Sequence, residues 1–477
     1  MNTAVSLGSS FQAAEDLLTP CSETGVASAI AAAISAEVKP IEPAGPRLLP
    51  FGLLLSPDRV LHQGILSLAD QAVASATNFA TGIIIARTCS QGELGLYMLG
   101  FSVILLVTDL QTSLISTPYM VYAPRLKGRA HASYTGSTLL HQLSFSLFII
   151  LALLCGAFAA RMGAGPRGLG PVLWALVAAI AFIMLREYAR RVCFARLKLL
   201  TAFLLDTCIA VGQIGGLLLF ARFHLLTASR AYWVIGSACG VALLWWLWSD
   251  REFYHPRIIE SRADLRKNWI SGKWVFASGL VWAVGMNLYP WFLAAFRGTA
   301  STGVWAACLG VVSVANPALL GIQNLVGPKI AHEYAAAGSK ALRRLVLKIA
   351  AVISLPVSLL CLALILWGGR LVILVYGSQY AGNSRVVAIL ALSVLISAPA
   401  FCFSRALYAT ERADLDFLVN FAALFVMVTL GFWLVRDFGA LGAALGLLGG
   451  NFATSALKAG VYLRLQARIS EGGKQIR

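Results

Sequence analysis

The sequence predicts an all-α, multi-pass membrane protein whose 12 transmembrane helices form two parallel six-helix lobes around a central cavity. Hydrophobic residues make up 58% of the 477 residues and charged residues only 12%, whereas about a quarter of an ordinary soluble protein is charged. The apolar residues come in blocks of about 20, the length that crosses about 30 Å of hydrocarbon as a helix. The two halves of the chain also match each other at a spacing near 210 residues.

The chain begins with a polar segment, residues 1–61, that is predicted to be a mobile cytoplasmic tail. Its apolar piece, Ala27 to Ala36, is too short to cross a bilayer. Acidic residues rather than the basic ones of a secretory signal precede that piece, so cleavage is not expected. A second, short cytoplasmic tail is predicted over 466–477.

Twelve apolar segments between these tails are long enough to span a membrane. They cover residues 63–86, 95–117, 137–160, 169–186, 200–221, 231–248, 272–296, 303–326, 346–368, 385–406, 414–435 and 440–463.

The basic residues predict the orientation of these spans. Roughly 28 Lys and Arg residues fall on one side and roughly 9 on the other, and basic loops stay in the cytoplasm. Both termini are therefore predicted to be cytoplasmic. In a membrane protein, this distribution accounts for the net charge of +17, so membrane lipids rather than nucleic acid are the expected partners.

An internal repeat predicts the two lobes. An offset of 210 places Arg87 on Arg297, and an offset of 214 places Arg191 on Arg405. Since each half has six spans, both halves insert in the same orientation, related by an axis along the membrane normal. The lobes are predicted at 62–248 and 272–465.

Residues 249–271 connect the lobes on the cytoplasmic side. Apolar residues such as Leu265 and Trp269 recur at helical spacing, while Arg262 and Arg266 lie on another face. This pattern is typical of an interfacial helix on an anionic leaflet, although a solvated linker has a similar composition.

Polar residues inside four spans indicate the lining of the cavity. Ionisable and amide groups are costly in hydrocarbon, so they call for a partner or a wet cavity. The candidates for substrate contact in spans 1, 2, 7 and 8 are Asp70, Gln71, Thr77, Asn78, Asp109, Asn287, Asn316 and Gln323. Asp70 and Asp109 are also candidates for ion coupling. The alternative is that these groups join helices by hydrogen bonds.

Arginines at the span ends are further candidates. Arg87 and Arg297 end equivalent spans at the outer face, where a guanidinium can grip a phosphate or sugar, or can snorkel to the interface. Arg191 and Arg405 are candidates for contact with an anionic headgroup on the cytoplasmic side. Asp206 is expected to pair with Arg190 or Arg196.

The sequence contains no pattern that predicts an enzyme. The nine cysteines and six histidines are scattered without metal-ligand spacing, and no phosphate-binding glycine loop occurs, so we expect no metal and no cofactor. The longest predicted outer loop, residues 369–385, is too short to build a catalytic site.

Four segments resemble the polysaccharide-transporter branch of the multidrug/oligosaccharidyl-lipid/polysaccharide (MOP) flippase superfamily. Ile85 to Tyr97, which reads IARTCSQGELGLY, is similar to the first-loop pattern of bacterial polysaccharide exporters, with Leu94 in place of the usual Phe. VYGSQY at 375–380, ALYATER at 406–412 and FGALGAA at 438–444 are similar to the second half of that group. The resemblance covers about residues 60–465.

The resemblance implies a MATE-like fold and transport by alternating access, in which two lobes rock around a central cavity. It implies an O-antigen or polysaccharide flippase of the bacterial cytoplasmic membrane, whose cargo is a polyprenyl-pyrophosphate-linked oligosaccharide. Other polysaccharide-assembly proteins are further partners that it suggests. The peptidoglycan-precursor branch has two more spans than this sequence and is less favoured.

Two features depart from that branch. The N-terminal tail is longer than usual, and the predicted cavity stripe is neutral or acidic, whereas an anionic cargo favours cations. Such a stripe is also compatible with a drug or organic-cation antiporter of the same superfamily, in which Asp70 or Asp109 would bind a proton or a sodium ion. A third alternative is a scaffold of a polysaccharide-assembly complex that transports nothing.

Overall fold

The computed structural model describes residues 57–250, 258–410 and 412–472. Within these ranges, the side chains of a minority of residues are left undescribed, chiefly in 57–62, 249–260, 270–275, 315–340 and 467–472. The predicted N-terminal tail before residue 57, part of the linker and the last five residues lie outside the described ranges.

The described part of the first half is helical. Its helices are α1 (Pro57–Thr88), α2 (Gln91–Gln111), α3 (Thr117–Tyr122), α4 (Gly128–Arg161), α5 (Leu169–Ala195), α6 (Leu199–Arg222) and α7 (Ala228–Asp250). A π-helical turn, Thr112–Ser116, joins α2 to α3, and the 3-10 turn Ala123–Arg125 follows.

The second half is also helical where it is described. Its helices are α8 (Ile258–Arg297), α9 (Thr299–Val312), α10 (Asn316–Tyr376), α11 (Ser384–Ala409), α12 (Ala413–Phe438) and α13 (Ala440–Gly472). Short 3-10 turns at Ser313–Ala315 and Ser378–Tyr380 flank α10.

All 12 predicted spans fall on helices, and among the described residues ten segments are long and apolar enough to cross a membrane. The segments in α1 and α9 are not among those ten, because α1 carries the polar stripe and α9 has only 14 residues. The multi-pass helical architecture is thus confirmed, while the count of 12 stays a prediction.

Three predicted boundaries differ from the structure. The cytoplasmic connection expected between spans 8 and 9 is helical, because α10 runs without a break from Asn316 to Tyr376 through an alanine-rich stretch that favours helix. The outer loop expected over 369–385 shrinks to 377–383, because the apolar residues before it continue α10. The linker continues directly into span 7 as α8.

The first turns of α8 pack against α4 through polar side chains. Ser261 and Asn268 are buried there, and the Asn268 Oδ1 accepts a hydrogen bond of 3.0 Å from the hydroxyl of Tyr134. The His141 ring lies 2.9 Å from the Ser261 hydroxyl. Leu265 and Trp269 remain about half exposed on the adjacent part of the helix surface.

Most pairs of helices in contact belong to the same half of the chain. In the N-terminal lobe α5 packs against α4 and α7, and in the C-terminal lobe α11 packs against α10 and α13. The lobes meet where α2 contacts α8 and α9. Buried aromatic side chains fill both lobes, including Tyr188 and Trp246 in the first and Tyr289 and Trp305 in the second.

The π-helical turn interrupts span 2 just before a proline. Pro118 has no backbone N–H to donate, so the regular hydrogen-bond ladder of the preceding turn is broken. Single π turns inside helices are frequent at functional sites. This turn begins three residues after Asp109, and the Ser113 hydroxyl bonds the Asp109 carbonyl at 3.0 Å.

Candidate functional site

Asp70 lies in a buried ionic cluster that joins α1, α5 and α6. The Arg190 guanidinium donates two hydrogen bonds to one oxygen of Asp70, from Nη2 at 2.6 Å and from Nε at 2.9 Å. Arg190 also donates to the side-chain oxygen of Gln71 at 3.3 Å. Only 1% of the Asp70 surface is exposed, so its charge is compensated inside the lobe.

Asp206 shares the same guanidinium. Its Oδ2 lies 3.1 Å from the Nε of Arg190, and its Oδ1 lies 2.7 Å from Nη2 of Arg186. Pairing of Asp206 with Arg190 was expected from the sequence, and the structure adds Arg186 as a second partner. Arg190 therefore bridges two carboxylates that reach it from two different helices.

Arg191 is tied into the edge of this cluster. Its Nε lies 2.9 Å from the Oε1 of Glu187, one helical turn earlier on α5. With Glu187 included, the cluster contains three carboxylates and three guanidinium groups. The sequence-predicted headgroup contact at Arg191 would therefore compete with an ion pair that already exists.

Asp109 stands apart from these pairs. It is partly buried, and its carboxylate has no ion-pair or hydrogen-bond partner in the described part of the chain. A carboxylate in a membrane span requires a wet or polar environment. Asp109 therefore remains the candidate with an uncompensated charge.

The other residues of the predicted stripe are not brought together. The Thr77 hydroxyl bonds the Val73 carbonyl at 2.7 Å, and the repeat-related Asn287 bonds the Ala283 carbonyl at 2.9 Å. Both side chains thus satisfy their own helices. Asn78 is exposed. The side chains of Asn316 and Gln323 lie outside the described part.

Arg87 joins the two lobes at the end that the sequence predicts to face outward. Its Nε donates to the Val375 carbonyl at 2.7 Å, and its Nη2 donates to the Leu374 carbonyl. The amide of Gln91 donates to the Gln379 carbonyl at 2.5 Å. The Gln379 amide donates in return to the Ala86 carbonyl at 2.5 Å. We call these four hydrogen bonds the outer latch.

Two of the segments that carried the family resemblance meet at the outer latch. Arg87 and Gln91 belong to the 85–97 segment, and Val375 and Gln379 belong to the 375–380 segment. Both segments therefore close the same end of the interface between the lobes, the end that is predicted to face outward.

A close helix crossing completes this closure. A Cβ atom on Gly95 of α2 would overlap the Thr299 carbonyl oxygen, and a Cβ on Gly303 of α9 would overlap the Gln91 carbonyl oxygen. Only glycine allows two backbones to approach this closely. Beside the latch, burial raises the pKa of the Cys89 thiol, whose Sγ lies 3.4 Å from the Leu226 carbonyl oxygen.

Arg297 has a different role from its repeat mate Arg87. Its Nη2 donates to the Asp437 carbonyl at 2.6 Å, at the end of α12 in the same lobe. Arg405 is exposed and stacks on Phe401, with its guanidinium carbon 4.6 Å from the ring centroid. Unlike Arg191, Arg405 has no ion pair with a carboxylate in the described part of the chain.

The C-terminal lobe contains a second buried ion pair, which was not predicted. Lys458 Nζ on α13 lies 3.1 Å from Asp416 Oδ1 on α12, and it donates to the Ser404 hydroxyl at 2.7 Å. The other oxygen of Asp416 accepts hydrogen bonds from Tyr408 at 2.9 Å and from Asn420 at 3.0 Å. We call these five residues the C-lobe cluster.

The repeat contains a signal for this cluster. Asp206 and Asp416 differ by 210, the same offset that relates Arg87 to Arg297. Lys458 is also a lone cation within an apolar span. Both signals could have identified the pair before the structure was known. No group of three or more His, Cys, Asp or Glu side chains suited to a metal occurs among the described residues.

No family model matches this chain, and no curated protein matches it in sequence. The fold, however, matches solved structures. An inward-facing multidrug-resistance MATE transporter of the MOP superfamily superimposes with a TM-score of 0.71 at 14% identity, covering 83% of this chain and 96% of that one. The lipid II flippase MurJ, in an inward closed conformation, gives a TM-score of 0.63 at 14% identity and covers 83% of this chain and 86% of its own.

A third match is a MOP superfamily transporter from Pyrococcus furiosus, described as having a binding pocket of reverse polarity. Its TM-score is 0.63 at 14% identity, with coverage of 86% of this chain and 95% of that one. These likenesses confirm the predicted fold class, which is the two-lobed fold of MOP superfamily structures. They concern the fold alone.

Proposed function

We propose that this protein is an alternating-access transporter that moves a polyprenyl-pyrophosphate-linked oligosaccharide across the bacterial cytoplasmic membrane. The fold is shared with transporters and with a lipid II flippase, and the outer latch together with the Gly95–Gly303 crossing closes the end of the interface that is predicted to face outward. In this reading, the lobes rock apart at that end to release the headgroup, while the polyprenyl tail stays in lipid.

One observation carries the preference for an anionic cargo. The three most deeply buried acids in the described spans, Asp70, Asp206 and Asp416, are all compensated by Arg or Lys side chains. These carboxylates are therefore not available to a cationic drug. Arg405, by contrast, has an uncompensated guanidinium at the predicted cytoplasmic side, where an anionic headgroup would enter.

Asp109 supports a second candidate, the organic-cation antiporter. It is the span carboxylate without a partner among the described residues, and it lies next to the π-helical turn. A lone carboxylate beside a cavity can bind a cation or a proton. The two candidates therefore predict opposite roles for Asp109 and Arg405.

Native mass spectrometry of the detergent-purified protein distinguishes them. We expect a synthetic polyprenyl-pyrophosphate-linked sugar to bind and tetraphenylphosphonium to leave it in place. Arg405→Ala is expected to weaken sugar-lipid binding about tenfold, whereas Arg405→Lys weakens it less, because a guanidinium pairs with phosphate through two bonds.

Asp109→Asn is the matched control for the antiporter. If the flippase proposal is correct, this variant binds the sugar lipid as the wild type does. Binding of tetraphenylphosphonium that depends on Asp109, with no binding of the sugar lipid, would reject the flippase and select the antiporter.

A further inference from the structure

An apolar crevice of about 400 Å³ lies between the two lobes, at the end that is predicted to face outward. Gly165 and Pro166, in the turn between α4 and α5, form one wall, and Trp291, Ala294 and Ala295 of α8 form the other. We propose that this crevice is a lipid site, which holds an acyl chain of an anionic phospholipid from the surrounding leaflet while two arginines beside the turn bind its phosphate. The proposal does not depend on the identity of the cargo.

The wall contributed by α8 is a single helix face, since Trp291, Ala294 and Ala295 recur at helical spacing. The Trp291 indole N–H donates to the Ser102 hydroxyl of α2 at 2.9 Å, so the polar atom of this side chain is already bonded. The two alanines are small and leave the space open. None of the five lining residues offers a free polar side-chain atom, and a cavity lined in this way takes up apolar groups rather than water.

The opposite wall is a turn of fixed shape. Gly163, Gly165 and Gly168 have φ values of +96°, +90° and +87°, a backbone region that favours glycine. A Cβ atom on Gly168 would lie 2.7 Å from the Cδ1 of Leu96, so the turn also packs closely against α2. The crevice is therefore built by the fold of the N-terminal lobe together with α8.

Two arginines flank this turn. Arg161 ends α4 and Arg167 follows Pro166 directly, and both side chains are exposed. Neither guanidinium group has a hydrogen-bond or ion-pair partner in the described part of the chain. Basic residues are less frequent in loops that face outward, so two free guanidinium groups there call for an anionic partner at the membrane surface. A guanidinium can pair with a phosphate through two bonds. An apolar chain next to a phosphate is the chemistry of a phospholipid.

The closed state of the interface favours a bilayer lipid over the cargo as the occupant. The crevice exists while the outer latch and the Gly95–Gly303 crossing close the same end of the interface. In this state the cargo has no open path at that end, whereas lipids of the surrounding leaflet can reach the crevice from the membrane. A lipid that contacts both walls binds this state better than a state with separated lobes, so it also favours the closed outer end.

Native mass spectrometry of the delipidated full-length protein tests the proposal, with dioleoylphosphatidylglycerol (PG) as the probe and dioleoylphosphatidylcholine (PC) as the comparison. We expect the first PG to bind at least about tenfold more tightly than the first PC, because PG carries a net negative charge and PC does not. Arg161→Gln/Arg167→Gln should weaken PG binding by about tenfold or more and leave PC binding unchanged. Arg222→Gln/Arg370→Gln removes the same charge at other exposed positions that are predicted to face outward, and it should bind PG as the wild type does.

A second variant tests the crevice itself. Ala295→Trp places a large ring in the crevice and should weaken PG binding severalfold, whereas Ala300→Trp, at an exposed position that does not line it, should not. Equal affinities for PG and PC would overturn the proposal, as would full PG binding by Ala295→Trp or an equal loss in the two arginine double variants.

Two competitors identify other occupants. Glycerol 3-phosphate has no acyl chain and should not displace PG, so displacement by it would leave only an anion site and overturn the proposal. Displacement of PG by an equimolar amount of a polyprenyl phosphate would assign the crevice to the cargo and would also overturn it. Failure of the PG and PC measurements leaves the proposed function untouched, because no cargo enters them.

Discussion

Arg190 and Asp70 form a two-bond contact to a single carboxylate oxygen, at 2.6 and 2.9 Å, that ties α1 to α5 inside the N-terminal lobe. Because Arg190 also reaches Asp206 at 3.1 Å, one guanidinium compensates acids from two other helices. The cluster therefore fixes the positions of α1, α5 and α6 relative to each other.

Arg190→Met is expected to destabilise the protein by about 3 to 5 kcal/mol, because it leaves two buried carboxylates short of a partner. The midpoint of thermal unfolding measures this change. Asp70→Asn/Arg190→Met should recover part of the loss, since the variant removes one of the stranded charges. A double variant no more stable than Arg190→Met would show that the ion pair is not the cause.

Asp109→Asn and Asp70→Asn make the same chemical change at two different sites. We expect Asp109→Asn to change the free energy of unfolding by less than about 0.5 kcal/mol, because Asp109 has no described partner. Asp70→Asn should cost about 1.5 to 3 kcal/mol, since it weakens a charged hydrogen-bonded contact with Arg190. Equal Tm shifts for the two variants would contradict this assignment.

Arg87→Ala is expected to loosen the outer end of the interface between the lobes. Cross-linking of cysteines introduced at Thr88 and Ser378, in a Cys89→Ser background, reports this closure, because both positions are exposed beside the latch. The cross-linking yield should fall severalfold in Arg87→Ala. Arg87→Lys should give an intermediate yield, since an ammonium does not reproduce the planar pair of bonds that the guanidinium makes.

Gly303→Ala is expected to force α2 and α9 apart, because the added methyl group would meet the Gln91 carbonyl. Overpacking of this kind costs about 1 to 3 kcal/mol, and here the cost falls on the state whose outer end is closed. The same cross-linking assay should report a lower yield. Gly460→Ala is the control, since a Cβ there meets no atom within 4 Å and should leave the yield unchanged.

Much of this fold follows from the chain alone. Every span that was predicted from an apolar block of about 20 residues lies on a helix, and the internal repeat identified two related halves of the chain. The boundaries around α10 were wrong, because hydropathy marks where a helix lies in the membrane and not where the helix itself ends.

The candidate site was harder to predict. Asp70 was selected because a carboxylate in a span is costly, but its partner lies 120 residues away on another helix. Spacing along one helix cannot identify such a partner. Arg87 was selected for its position at a span end, yet it donates its hydrogen bonds to backbone carbonyls of the other lobe. Every residue has a backbone carbonyl, so the sequence does not identify which ones accept these bonds.

The pairing of acids and bases within each lobe has an electrical consequence. A buried group moves in the field across the membrane when a lobe rocks, and one elementary charge gains or loses about 2.3 kcal/mol per 100 mV. The pair Asp416–Lys458 and the cluster around Arg190 each carry balanced charge, so the membrane voltage performs almost no work on them. Asp109, without a described partner, is where the voltage can act, and the voltage dependence of the conformational change should therefore reside in that carboxylate.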